Sequence, residues 1–270
     1  MSPSSGKNIS DGLNSDSFRE LSRTTRLRLL AMHYHAGVGH IGGNLSSIDT
    51  MLYVHHCLMK PEDVFILSKG HAAGALYVTL WTLGVLSDED LDTFHADASH
   101  LPGHPPPGYF KDIPISTGSL GHGFPVASGI ALARKLLQKS GQVFCLCSDG
   151  EWQAGSNWEA LIFSRHHNLT NLVLLVDMNG LQGFGTTSAT ASLNDLKRHF
   201  ETFDLEVVEL NGHSFDSLKE MNALPNGKRA VYLLNTVKGK GVSFMEDRLE
   251  WHYLPLTIDL YQKAVRELRE

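Results

Sequence analysis

Cysteine is scarce: three in 270 residues, two of them inside the apolar run Cys145–Leu146–Cys147. That is too few for a disulfide framework and reads as buried strand thiols in a reducing compartment. Basic residues are not in excess, since 23 Lys and Arg against 29 Asp and Glu leave a formal net charge of -6. A mildly acidic chain without a Lys/Arg run is poorly suited to nucleic acid. No apolar run is long enough to span a membrane. Residues 1–15, rich in Ser, Gly and Asn, lack the apolar segment of a secretory signal. The expectation is a cytoplasmic protein with no nucleic-acid or membrane partner. A flexible tail over 1–15 precedes one domain over 16–270.

What the chain has in quantity is glycine, 25 residues, and histidine, 15 residues. Short apolar runs at Val64–Leu67, Val143–Ser148, Leu172–Met178, Leu205–Leu210 and Ala230–Thr236 alternate with helical patterns. Phe18, Leu21, Thr25, Leu29 and Met32 recur at helical spacing and Gly37 closes that segment. Ile48 to Leu58, Val126 to Leu137, Ser214 to Leu224 and Thr257 to Glu270 read as further helices, and Asn194 as the cap of one reaching Phe200. This alternation predicts an α/β fold: a doubly wound, mostly parallel sheet of about five strands with helices on both faces.

The glycines and histidines gather at the ends of these segments. Two buried strands end in Asp149–Gly150 and Asn179–Gly180. Open α/β sheets bind ligands just beyond the carboxyl ends of their strands. A carboxylate and an amide oxygen there are hard donors suited to Mg²⁺, and Gly150 lets a diphosphate approach the backbone. Ordinary strand-end turns use the same residues. Gly39–His40–Ile41–Gly42–Gly43–Asn44 reads as a loop where backbone approaches a ligand, or as an incidental helix–helix turn. Ser68–Lys69–Gly70–His71 leads from a strand into a helix, where His71 is able to donate to an anion. Pro102–Gly103–His104–Pro105 is a stiff loop, either plain connection or a rigid mount for a reacting group. Thr117–Gly118–Ser119–Leu120–Gly121 is denser in glycine than a connection needs, and it is not a P-loop. Lys238–Gly239–Lys240–Gly241 ends the last strand, and Trp251–His252 follows. His55–His56 and His166–His167 read as surface residues, since helix neighbours do not share a face.

These six motifs, in this order, resemble the thiamine-diphosphate-binding (PP) half of a transketolase. The resemblance runs from Phe18 to the C-terminus and is closest to the N-terminal subunit of a split transketolase. It implies thiamine diphosphate and Mg²⁺ (or another divalent cation such as Ca²⁺ or Mn²⁺) as cofactors. Asp149 and Asn179 would ligate the metal through side chains and Leu181 through its carbonyl. Gly150, His71 and Lys238 would contact the diphosphate, Asn179 reaching it through the metal. Gly118, Ser119 and Leu120 would line the aminopyrimidine. His40, His104 and His252 would face the thiazolium and the substrate hydroxyls as proton carriers. The implied reaction moves a two-carbon ketol unit from a ketose to an aldehyde, both sugars or sugar phosphates. The implied partner is a separate C-terminal subunit with the pyrimidine-binding (PYR) domain, in an α2β2 assembly.

Four positions depart from the family pattern. Ser148 stands where glycine usually precedes Asp-Gly, and Ala154 where transketolases usually carry an interface glutamate. His122 replaces a glutamine, and Tyr253–Leu254 a Gly-Lys pair, which points to an acceptor other than a plain pentose phosphate. The alternative readings are a deoxyxylulose-phosphate-synthase-like ligase, the α-chain of a 2-oxo-acid dehydrogenase E1, and a non-catalytic partner-binding paralogue.

Overall fold

The computed structural model describes residues 13–193, 195–223 and 229–270. Most of the tail, Asn194 and Leu224 therefore lie outside the described residues; Asp195, not Asn194, caps the helix that follows. In chain order the elements are α1 Ser15–Ala36, α2 Ile41–Tyr53, β1 Val64–Leu67, α3 Ala73–Thr82, α4 Asp88–Asp92, α5 Gly123–Leu136, β2 Val143–Ser148, α6 Gly155–His166 and β3 Leu172–Met178. A short hairpin follows, β4 Leu181–Gln182 and β5 Gly185–Thr186. Then come α7 Thr187–Ala191, α8 Leu196–Glu201, β6 Glu206–Asn211, α9 Phe215–Leu218, β7 Ala230–Asn235 and α10 Ile258–Arg269.

Five strands form one parallel sheet in the order β1-β2-β3-β7-β6. β2 and β3 are apolar almost throughout because helices cover both faces. Successive strand residues point to opposite sides, so the sheet divides two cores. Phe144, Leu146, Val173 and Leu175 pack with α1, α2 and α3. Cys145, Cys147, Leu174 and Val176 pack with α5, α6 and α8 on the other face. The two buried thiols share that face, free and 3.9 Å apart. Ser148 pairs with Asp177 and Met178 with Asn235, so three strands end at one level. Everything chemical in the chain gathers above that level.

α1 begins where Asn14 Oδ1 accepts from the Asp16 and Ser17 amides, at 3.1 and 3.0 Å, and ends at Gly37 with φ 65°. Two expectations need correction. The stretch Gly39–Asn44 is not a loop: α2 starts at Ile41, with His40 as its left-handed N-cap. Gly42 and Gly43 serve a helix that must lie close to its neighbours; a Cβ on Gly42 would sit 3.1 Å from Lys238 Cγ. Nor is the His55–His56 pair on the surface. A π-turn, Val54–Leu58, rotates both inward, His55 against Phe65 and His56 Nε2 2.8 Å from Thr82 Oγ1. Among the described residues, no helix is long and apolar enough to cross a membrane.

Candidate active site

Four imidazoles from four separate segments converge above the strand ends. The His40 ring lies 5.9 Å from that of His71, 6.0 Å from His104 and 5.2 Å from His252; His71 and His252 are 5.7 Å apart. Local structure fixes each of them. His40 has φ 64°, a left-handed conformation that a non-glycine residue holds only when its neighbours require it. Its N–H donates to His252 O at 3.0 Å, and its carbonyl accepts from Asn44 Nδ2 at 2.8 Å. The same amide nitrogen donates to His71 O at 3.1 Å, so Asn44 ties two of the histidines together. His104 rides on the proline loop, which the buried Tyr77 hydroxyl holds through Pro102 O at 2.9 Å.

Burial lowers the basicity of all four rings. His40 and His104 are shifted down mainly by desolvation, and His71 further by Lys69 and His252. His252 falls to about 4, through burial and then the Lys238 charge. Neutral imidazoles at pH 7 are able both to accept and to donate a proton. Lys238 Nζ donates to His252 Nδ1 at 3.0 Å, which puts the His252 proton on Nε2. Lys238 is itself 2% exposed and pushed down to about 8 by burial and by Lys69.

The second half of the site is anionic. Asp149 Oδ1 accepts from the Gly150 amide and Oδ2 from the Gly180 amide, each at 2.7 Å. Burial and the nearby Asp177 nevertheless push its carboxyl up to about 6. Asn179 Nδ2 donates to Asp177 Oδ2 at 3.0 Å and Ser46 Oγ at 3.3 Å, while its Oδ1 accepts from the Leu181 amide at 3.1 Å. The Leu181 carbonyl receives only a long contact, 3.4 Å, from Lys238 Nζ. A buried carboxylate whose charge lacks compensation, an amide turned oxygen-outward and an under-used carbonyl are a hard-oxygen set that fits a divalent cation. Among the described residues, no three His, Cys, Asp or Glu side chains converge as metal ligands, so any such site would be of this mixed kind.

The glycine loop lies across the histidines. Gly118, at φ 144°, leaves room for His104: a Cβ there would be 2.7 Å from the ring's Cδ2. Thr117 Oγ1 donates to Leu67 O at 2.6 Å and the Gly121 amide to Glu151 Oε1 at 3.0 Å, which anchors the loop to the ends of β1 and β2. Ser119 and Leu120 are not brought against the imidazoles; both are exposed at the rim. The Gly150 N–H, expected to be open to a ligand, is turned to Asp149.

Sequence reasoning missed the residues that hold this arrangement. Asp177, 2% exposed, accepts from Lys69 Nζ, from Thr236 Oγ1, from Ser46 Oγ at 2.7 Å and from Asn179. Burial opposes its charge, but Lys69 more than offsets that and holds the carboxyl below the usual range. Glu151, fully buried, accepts from Ser68 Oγ and from the Ser148 amide at 3.2 Å. Their charge inside an apolar strand or beside a tryptophan was the available signal.

The family model described as "Transketolase, thiamine diphosphate binding domain" matches residues 20–268. The first-named chain of the apulose-4-phosphate transketolase of Actinobacillus succinogenes is 35% identical over 270 residues, covering 96% of this chain and 98% of that one. A 6-deoxy-6-sulfo-D-fructose transketolase subunit of a Clostridium species is 36% identical over 246 residues, 87% of this chain and 90% of its own. The crystal structure of transketolase from Campylobacter jejuni superposes with a TM-score of 0.84 at 28% identity. That superposition takes in 95% of this chain but only 43% of the other. With the parallel sheet, the strand-end donors and the family match in agreement, the chain belongs to the transketolase family, as the thiamine-diphosphate-binding N-terminal subunit of a split enzyme.

Proposed function

We propose that this chain, with a separate C-terminal subunit supplying the PYR domain, transfers a two-carbon ketol unit from a ketose donor to an aldehyde acceptor. The assembly would be α2β2, in the cytoplasm, with Mg²⁺ as the preferred cation. The observation that carries this reading is the convergence of His40, His71, His104 and His252 beside Asp149 and Asn179. Proton carriers and a cation site then serve one ligand.

Asp149, Asn179 Oδ1 and the Leu181 carbonyl would hold the cation. Engaging the Asp149 carboxylate would also release the Gly150 N–H toward the diphosphate. Lys238 and His71 would meet the remaining phosphate charge, which relieves the lysine's buried position. Gly118, Ser119 and Leu120 would flank the aminopyrimidine. Thiamine diphosphate, once bound, supplies the electron sink that the chain lacks. His40 and His104 take a proton from a substrate hydroxyl or return one, while His252, protonated on Nε2, donates to substrate oxygen. The cation and diphosphate contacts anchor rather than accelerate, so the histidines carry this chain's share of the catalytic work.

The substrates follow less directly. Relatives named for apulose 4-phosphate and for 6-deoxy-6-sulfo-D-fructose support a split enzyme acting outside the common pentose phosphates. The exposed Tyr253 and Leu254 beside His252 support it too, because that rim offers bulk where cations would grip a phosphate. The test is two-carbon transfer from hydroxypyruvate or a ketose phosphate to an aldehyde panel, with the chain, its C-terminal partner, thiamine diphosphate and Mg²⁺. Transfer is expected in the mixture and from neither protein by itself. Carbon dioxide release from pyruvate without transfer would move the chain to the ligase or E1 reading.

A further inference from the structure

Behind the segment that carries Lys238 lies a cavity of about 480 Å³, within the range of small-molecule sites. Arg19, Arg23 and Arg26 of α1 and Lys240 line it, with Asp49 of α2 as the single carboxylate among the lining residues. Asp49 is fully engaged. Arg26 grips it twice, at 2.9 and 2.7 Å, and His213 Nδ1 donates to it at 2.7 Å. The floor is therefore neutralised, and Arg19, Arg23 and Lys240 make the walls cationic in a chain of net charge -6. Their present partners are Asp16 at 3.5 Å, Glu20 at 2.5 Å and Glu246 at 3.1 Å. Such exposed pairs hold weakly, and an arginine fork matches a phosphate as well as a carboxylate.

The cavity floor also grips the backbone on either side of Lys238. The Val237 amide donates to His213 Nε2 at 2.9 Å, and Arg26 Nε donates to the Lys240 carbonyl at 3.1 Å. Between these two clamps Lys238 turns the other way, to His252 and the Leu181 carbonyl. We propose that this cavity binds a small phosphorylated sugar or similar organic phosphate, and that its occupancy changes cofactor affinity through the 237–241 segment. The ligand's phosphate sits between Arg19, Arg23 and Lys240. Coupling of this kind is reciprocal, so the cofactor changes the phosphate's affinity by the same factor.

Fructose 1,6-bisphosphate serves as the probe, titrated calorimetrically into the full chain with thiamine diphosphate and Mg²⁺ saturating. Binding is expected in the loaded protein, weakened about tenfold or more by Arg23→Glu/Lys240→Glu. The neutral pair Arg23→Gln/Lys240→Gln repeats the test if charge reversal disturbs folding. The cofactor's own affinity is expected to shift about fivefold or more when the bisphosphate is present, and not in the variant. No binding by the probe, or binding that the variants leave unchanged, overturns the site. Binding without a shift in cofactor affinity overturns the coupling. None of these readouts needs turnover, so the site stands or falls apart from the proposed reaction.

Discussion

Asp177 holds the site together, although nothing in its strand advertises it. It is an anion inside the apolar run Leu172–Met178, and it accepts from Lys69 and Asn179 at once. Removing it leaves the fully buried Lys69 charge without its counter-ion. Asp177→Ala is predicted to lower stability by about 3–5 kcal/mol, and Lys69→Met in the same chain to restore part of that. Denaturant unfolding of the single and double variants measures both; a double variant no more stable than Asp177→Ala would contradict the account. The metal-site candidates Asp149 and Asn179 were legible because glycine follows each at a strand end. Asp177 and Glu151 were not, because a single acid in an apolar run says nothing about which lysine or amide the fold will bring to it.

At the scale of elements, the glycine loop and the π-turn make opposite demands. Gly118 combines φ 144° with a Cβ position 2.7 Å from His104, so a side chain there moves the histidine. Gly118→Ala is predicted to lower kcat/KM about 10²-fold while the thermal midpoint moves little. An unchanged kcat/KM would show that the loop does not set the His104 position. In the π-turn, burial holds His55 and His56 near 4, below the 6.5 of a free imidazole. As pH falls, the unfolded chain takes up these protons first. Their stabilising contribution is therefore complete above about pH 6.5 and drains away toward pH 4. Each adds a slope of up to ~1.4 kcal/mol per pH unit. Melts of His56→Gln between pH 7 and 5 should show a shallower acid limb than the natural chain; an identical limb would count against burial as the cause. Strand and helix identities were readable from apolar spacing. The α2 start and the π-turn were not, since glycine in a helix and histidine facing inward are decisions made by tertiary packing.

The whole molecule is a parallel sheet whose central strands end together, with the catalytic candidates along that edge. Motif order alone pointed to this family, because each motif follows a strand and the sheet gathers the strand ends. The rim, with exposed Leu120, Phe184, Tyr253 and Leu254, is the part the sequence described least. The central claim is that the strand-end oxygens and the histidine cluster serve one cation-held cofactor. Calorimetric titration of thiamine diphosphate into the natural chain and Asp149→Ala, each with its C-terminal partner, tests it directly. The account predicts binding that requires Mg²⁺ and is lost in the variant. Equal binding by the two proteins, or binding indifferent to the metal, would contradict it.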